Sequence, residues 1–185
     1  MSFNLTIIAA NLAALPVTGL ATGNIGTAMD TGTVYRWSGS AWITQEAAVI
    51  TSVDRTTTGQ ALVDIADLSI ALEPSMTYEF QATLGVQAST TAGNQYGVQY
   101  SAAGASVEAQ IIGTLAAAGV RNDRITALNT ATPAYVTSGA TGGVVIEGTI
   151  TTGVNAGNLT IRHLKVTSGT STVFAKSILR VRRIG

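Results

Sequence analysis

The sequence predicts an all-β fold: a jelly-roll-like antiparallel β-sandwich preceded by an N-terminal arm and a small aromatic β-hairpin. Three observations carry this. Apolar and polar residues alternate with a period of two in segment after segment from about residue 50 onward. No segment joins a 3.6-residue apolar period to a capping box and a charged outer face. Turn formers break the apolar runs so often that roughly seven or eight strands fit between Ala48 and Gly185, the spacing of a sandwich or barrel.

In chain order, MSFNLTIIAANLAA reads as an early strand or arm. It has no Lys or Arg ahead of its short apolar run, so the charged start of a signal peptide is missing. Ala9–Leu15 and Val63–Leu68 are the two short stretches where a helix fits. Val34–Trp37 and Ala41–Ile43 read as two strands joined by Ser38-Gly39-Ser40, with Tyr35 and Trp37 on one face and Arg36 on the other. Both tryptophans, Trp37 and Trp42, fall in this hairpin. A two-stranded hairpin is marginal alone, so it must pack on the main domain, a neighbouring subunit or an anchoring surface. Gln45–Ser52 reads as a linker, which divides the chain into residues 1–47, arm and attachment hairpin, and residues 48–185, the sandwich.

In the second part, Tyr78, Phe80, Ala82, Leu84 and Val86 alternate with Glu79, Gln81, Thr83 and Gln87. Tyr96, Val98 and Tyr100 share a face in the next segment, and the intervening STTAGN suggests a hairpin. Val107, Ala109 and Ile111 oppose Glu108 and Gln110. A polar turn is expected at Arg121–Arg124. Val144, Ile146 and Ile150 oppose Glu147 and Thr149, and TTGVNAG suggests a second hairpin into NLTIRHLKV. The last segment, STVFAKSILRVRR, reads as one strand with Val173, Ala175, Leu179 and Val181 inward and Lys176 and Arg180 outward.

Composition excludes several functions. Charged residues are only 11% of 185, and ten Lys and Arg balance ten Asp and Glu. A chain with no net charge has little pull on nucleic acid or anionic membrane, and little self-repulsion to keep it monomeric. Mean hydropathy is +0.34. Met1–Met29, Phe80–Val107 and Ile125–Ile146 carry no charge, yet Gly and Asn interrupt each of them, and Pro the first and third, so none reads as a membrane span. Uncharged faces of this extent are expected to be covered by other copies or by a partner. There is no cysteine, hence no disulfide, thiolate metal site or thiol nucleophile.

The single histidine, His163, lies between Arg162 and Lys165 on a partly polar strand face with no acid beside it, and reads as structural rather than catalytic. Glu79, Glu108 and Glu147 alternate with core positions, as solvated strand residues do. Asp64 and Asp67 lack the glycine and further oxygen donors of a cation loop. No cofactor, metal or catalytic residue is expected, and no reaction class is visible. Both Asn-Leu-Thr sequons fall in expected strands. Arg180, Arg182 and Arg183 form the one basic cluster, with Arg180 and Arg182 on one face. They suit either a subunit or partner interface or a solvated strand end. Tyr35, Trp37 and Trp42 suit either attachment to a partner or a small core of the hairpin's own.

DTGTVYRWSGSAWI resembles a Gly-led Tyr/Trp hairpin, "YRW-G-AW", found in tailed-bacteriophage virion structural proteins. TTGVNAGNLTIRHLKVTSGTSTVFAKSILRVRRIG is similar to their final strands, a "GNLTI" strand, a Thr/Ser-rich loop and a closing strand; AKSILRV stands here where that pattern has a Gly-Ser pair. The two stretches cover a third to a half of the chain. The resemblance implies a jelly-roll-like, non-enzymatic capsid cement (decoration) protein on the outer surface of the phage particle. It would be a homotrimer that bridges subunits of the major capsid protein through Tyr35, Trp37 and Trp42. The alternative it implies is a tail- or head-fibre tip that binds a receptor or surface glycan.

Overall fold

The computed structural model describes residues 5–89, 93–114, 119–135 and 141–185. The arm holds β1 (Thr6–Ala9), a 3-10 turn (Leu12–Ala14), β2 (Ile25–Ala28) and β3 (Thr33–Trp37), and leads into β4 (Trp42–Ile50). The remaining strands are β5 (Arg55–Thr57), β6 (Val63–Leu72), β7 (Thr77–Ala88), β8 (Asn94–Tyr100), β9 (Ser106–Thr114), β10 (Val120–Ile125), β11 (Thr141–Thr151), β12 (Gly157–Lys165), β13 (Ser171–Val173) and β14 (Ile178–Arg183).

Two sheets form. The large one runs β1-β2-β3-β4-β14-β7-β11-β9-β10, with β13 joining β5 to the far end of β7; the small one is β6-β12-β8. The pairing is nested: β4 pairs β14, β6 pairs β12 and β7 pairs β11, all antiparallel. Strands from opposite ends of the chain meet, and β6, β7 and β8 alternate between sheets, as when a long hairpin ribbon is rolled over itself. The chain is therefore an all-β, jelly-roll-like sandwich. One strand departs from that scheme. β9 joins the large sheet beside β11, and the place next to β8 is filled by residues 129–135. Asn129 and Thr132 donate backbone N–H to Val98 and Tyr96 carbonyls, both at 2.8 Å, and Tyr135 bridges Asn94.

The core lies between the sheets. Tyr78, Phe80, Leu84, Ile111, Ile146 and Ile150 of the large sheet face Ile65, Leu68, Tyr96, Leu159 and Ile161 of the small one, all buried. The period-two alternation of β7, β9 and β11 places the expected residues there.

Several local expectations are corrected. Val63–Leu68 is the start of strand β6. Ile65 and Leu68 are both buried, and the register against β12 shifts between Thr160 and Arg162. The irregularity puts two inward residues three apart and mimics a helical turn. In Ala9–Leu15 only Leu12–Ala14 turns, with the Asn11 side chain accepting from the Ala14 N–H. Gln45–Ser52 is mostly strand: β4 crosses residue 47 unbroken, pairs β3 at one end and β14 at the other, and packs Ala47 and Val49 on the core. Arg121–Arg124 belongs to edge strand β10, where Arg124 pairs with Glu108 of β9, Arg121 pairs with Asp123 along the strand, and these charges protect the edge. The two expected hairpins are instead crossings between sheets, since β7 and β8, and likewise β11 and β12, lie in different sheets. The last segment is two strands. Phe174–Ser177 breaks it, with Lys176 at φ 67°, and Ala175 sits outside the core with its N–H donated to Asp54.

Candidate functional site

The arm folds on itself around its aromatic hairpin. Trp37 is buried and Trp42 half-buried, with ring centroids 5.4 Å apart in an edge-to-face arrangement. Trp42 Nε1 donates to the Pro16 carbonyl at 2.8 Å. Gly26 of β2 leaves room for this packing, because a Cβ there would stand 2.9 Å from Leu15 Cδ2 and 3.0 Å from Trp42 Cζ3. Leu15 and Ala28 are buried alongside. Tyr35 is half-buried on β3. Of the three aromatic residues singled out from sequence, Trp37 is thus enclosed by the arm itself, while Tyr35 and Trp42 keep part of their surface.

What the arm presents outward is aliphatic. Leu5, Ile8, Leu12, Val17 and Met29 are 45–69% exposed. β1 is the terminal strand of the large sheet, bonded only to β2 among the described residues. Sequence reading did not single out these five side chains. The signal was there in the charge-free run from Met1 to Met29, but periodicity could not say which of its residues face water.

The arginines separate. Arg180 and Arg182 point outward from β14, whereas Arg183 turns the other way and donates Nε to the Gly185 carbonyl at 3.3 Å. Arg182 pairs with Glu79 at 2.6 Å. Arg180 has no hydrogen bond or ion pair with any described residue. These two side chains lie in a broad trough of about 1460 Å³ on the outer face of the large sheet, bounded by Gly32 near the arm and by Asn122 and Arg124 of β10.

Register arranges this face in rows. Glu46, Arg182, Glu79, Thr149 and Glu108 stand side by side across β4, β14, β7, β11 and β9. Ala48, Arg180, Gln81, Glu147, Gln110 and Arg124 form the next row, which reaches β10. Glu147 accepts from Gln81 Nε2 at 3.0 Å and Gln110 Nε2 at 2.8 Å, and these two amides hold its carboxyl below the usual carboxylate range. Arg124 pairs with Glu108 at 2.6 Å. Each of the three outward glutamates therefore has a polar partner on this face: Arg182 for Glu79, Arg124 for Glu108 and the two amides for Glu147.

His163 is not on a partly polar face. It is buried in the core, Nδ1 3.1 Å from Ser171 Oγ, and desolvation lowers its pKa to about 4. Lys165, also buried, donates Nζ to the Gly93 carbonyl at 2.6 Å, and burial lowers its pKa. Asp64 pairs with Arg162 at 2.8 Å and Asp67 with Arg55 at 2.5 Å. The Arg55 hydrogen bond, with the Ser52 N–H, lowers Asp67 to about 2.

No protein-family model matches the sequence, and no curated protein does. Solved structures do. The Eiger TNF from S. frugiperda is 11% identical, with 76% of this chain and 92% of that chain covered at a TM-score of 0.41. A chain from the infectious bursal disease virus Gx strain is 12% identical over 92% of this chain and 47% of that one, at 0.18. The VP2 subviral particle of the same virus gives 13% identity, 93% and 46% coverage and 0.20. This chain spans about half the length of the viral chains it matches. With overlap of this size, the fold assignment rests on the strand order and nesting given above.

Proposed function

We propose that the chain is a non-enzymatic structural protein of a tailed-bacteriophage particle: a capsid cement protein that sits on the outer surface as a homotrimer and bridges subunits of the major capsid protein. The observation that supports it best is the arm. Leu5, Ile8, Leu12, Val17 and Met29 place five large aliphatic side chains in water on a segment without a single charge, beside β1, the terminal strand of the large sheet among the described residues.

Full burial of one such side chain contributes about 1.5–3 kcal/mol, so a few of them per copy amount to firm attachment once three linked copies engage together. Few ions need desolvation at such a contact, which keeps its cost low. Trp37 works from inside: it stiffens the arm so that less conformational entropy is lost on docking. Tyr35 and Trp42 supply the remaining aromatic surface at its edge. The sandwich would face outward from the arm, and the balanced charge gives it little electrostatic pull on nucleic acid or membrane.

The experiment is co-sedimentation with heads of the phage that carries the protein. Leu5→Lys with Ile8→Lys should abolish attachment while leaving the far-ultraviolet circular dichroism spectrum and unfolding of the purified protein unchanged. Full attachment of that variant would remove the arm as the anchor.

A further inference from the structure

One row on the outer face of the large sheet is aliphatic at four of five positions where a solvated face would be polar. Ile50, Ile178, Thr83, Val145 and Ile112 stand side by side across β4, β14, β7, β11 and β9. Ile50 is 53% exposed, and Ile178, Val145 and Ile112 are half-buried. Phe174 extends the band on one side, with Cδ2 3.4 Å from where a Gly85 Cβ would stand. On the other side lie the two polar rows. Isolated surface aliphatics are ordinary, but a contiguous band across five strands with charged residues along one flank has the anatomy of a protein interface.

Charge selects the occupant. Within the polar rows Glu79 is paired with Arg182, Glu108 with Arg124, and Glu147 is held by two amides. That leaves Arg180 as a cation and Glu46 as an anion, neither with a hydrogen bond or ion pair to a described residue. One uncommitted charge of each sign suits neither a strongly acidic nor a strongly basic partner. It suits a surface that brings the same pair, namely another copy of this chain.

We infer that the outer face of the large sheet is where copies of the chain meet, with the Ile50–Ile112 band covered and Arg180 of one copy set against a carboxylate of the next. The inference rests on the homotrimer of the reading above and adds which surface builds it. It gives Arg180 and Arg182 the interface position and leaves Arg183 out of it.

The test is mass by light scattering of the full-length chain, with Ile178→Lys against Val17→Lys. Wild type and Val17→Lys should be trimeric and Ile178→Lys monomeric. A second measurement stands if the Ile178 variant fails to fold. The chain has no cysteine, so Thr83→Cys introduces a single thiol in the centre of the band. Maleimide should label it roughly tenfold more slowly in the trimer than after dilution to monomer, since interface cores exclude water. A trimer that survives Ile178→Lys, or labels Thr83→Cys rapidly, overturns this inference and leaves the trimer standing. A monomeric wild type overturns both. Protection of Thr83→Cys that appears only when shell protein is added would place the face on the shell and also overturn it.

Discussion

The indole N–H of Trp42 is donated to the carbonyl of Pro16, 26 residues earlier in the chain, at 2.8 Å. This bond ties the irregular segment between β1 and β2 to the first residue of β4, the strand that the arm shares with the sandwich. Trp42→Phe keeps most of the ring and removes the donor. It should cost about 1 kcal/mol, confined to the arm. Hydrogen exchange should show faster opening of the amides of β2 and β3 with those of β7 and β11 unchanged.

His163 makes stability depend on pH. Its folded pKa of about 4 lies below the ordinary 6.5 because burial disfavours the imidazolium. Above pH 6.5 the ring is neutral in both states and contributes nothing. As pH falls from 6.5 toward 4 the unfolded chain takes up a proton that the folded chain does not, and stability falls by about 3 kcal/mol. Asp67 acts lower, with its support lost as pH falls from 3.8 through 2. Urea unfolding at pH 7 and pH 4.5 should show the loss, and His163→Gln should flatten it over that interval.

Gly148 of β11 stands opposite Ala109 of β9, and a Cβ there would collide with the Glu108 carbonyl oxygen and Ala109 Cα. These are backbone atoms of a central strand and cannot step aside. Gly148→Ala should destabilise the fold by about 3 kcal/mol. Gly143, in the same strand, has its nearest neighbour, the Leu84 carbonyl oxygen, at 4.0 Å, so Gly143→Ala should be nearly neutral when both variants are compared by thermal unfolding.

Tyr135 holds down the segment that replaces a strand beside β8. Its hydroxyl donates to Asp123 Oδ2 at 2.6 Å, and Asp123 also binds Arg121 at 2.5 Å. Tyr135→Phe removes a hydrogen bond to a charged acceptor and should cost about 2 kcal/mol. Proteolysis should then begin within residues 128–135.

The inward residues of β7, β9 and β11 could be read directly, because one face of each strand is buried and the other wet. Sheet membership could not. STTAGN and TTGVNAG have turn chemistry whether they close a hairpin or cross between layers, and β8 shows the same alternation, Tyr96, Val98 and Tyr100 buried and Gln95 and Gln99 half-buried, whichever sheet it joins. Arg121–Arg124 reads as a turn because the groups that fix it in a strand, Glu108 beside Arg124 and Tyr135 on Asp123, are distant in sequence. The same limit applied to the site. The sequence placed Arg180 and Arg182 on one face but could not show that Ile50, Ile178, Val145 and Ile112 align beside them, since register across five strands is a tertiary property. By sequence Trp37 suits an anchor on a partner as well as packing within the arm, and its burial against Trp42 distinguishes these.

The most direct measurement is an image of the phage particle at a resolution that counts and orients this protein. The account predicts hundreds of copies on the head, grouped in threes, with residues 5–29 against the shell and the sandwich outward. About a dozen copies at a vertex or on the tail, or arms pointing into solvent, would contradict it and favour a fibre tip.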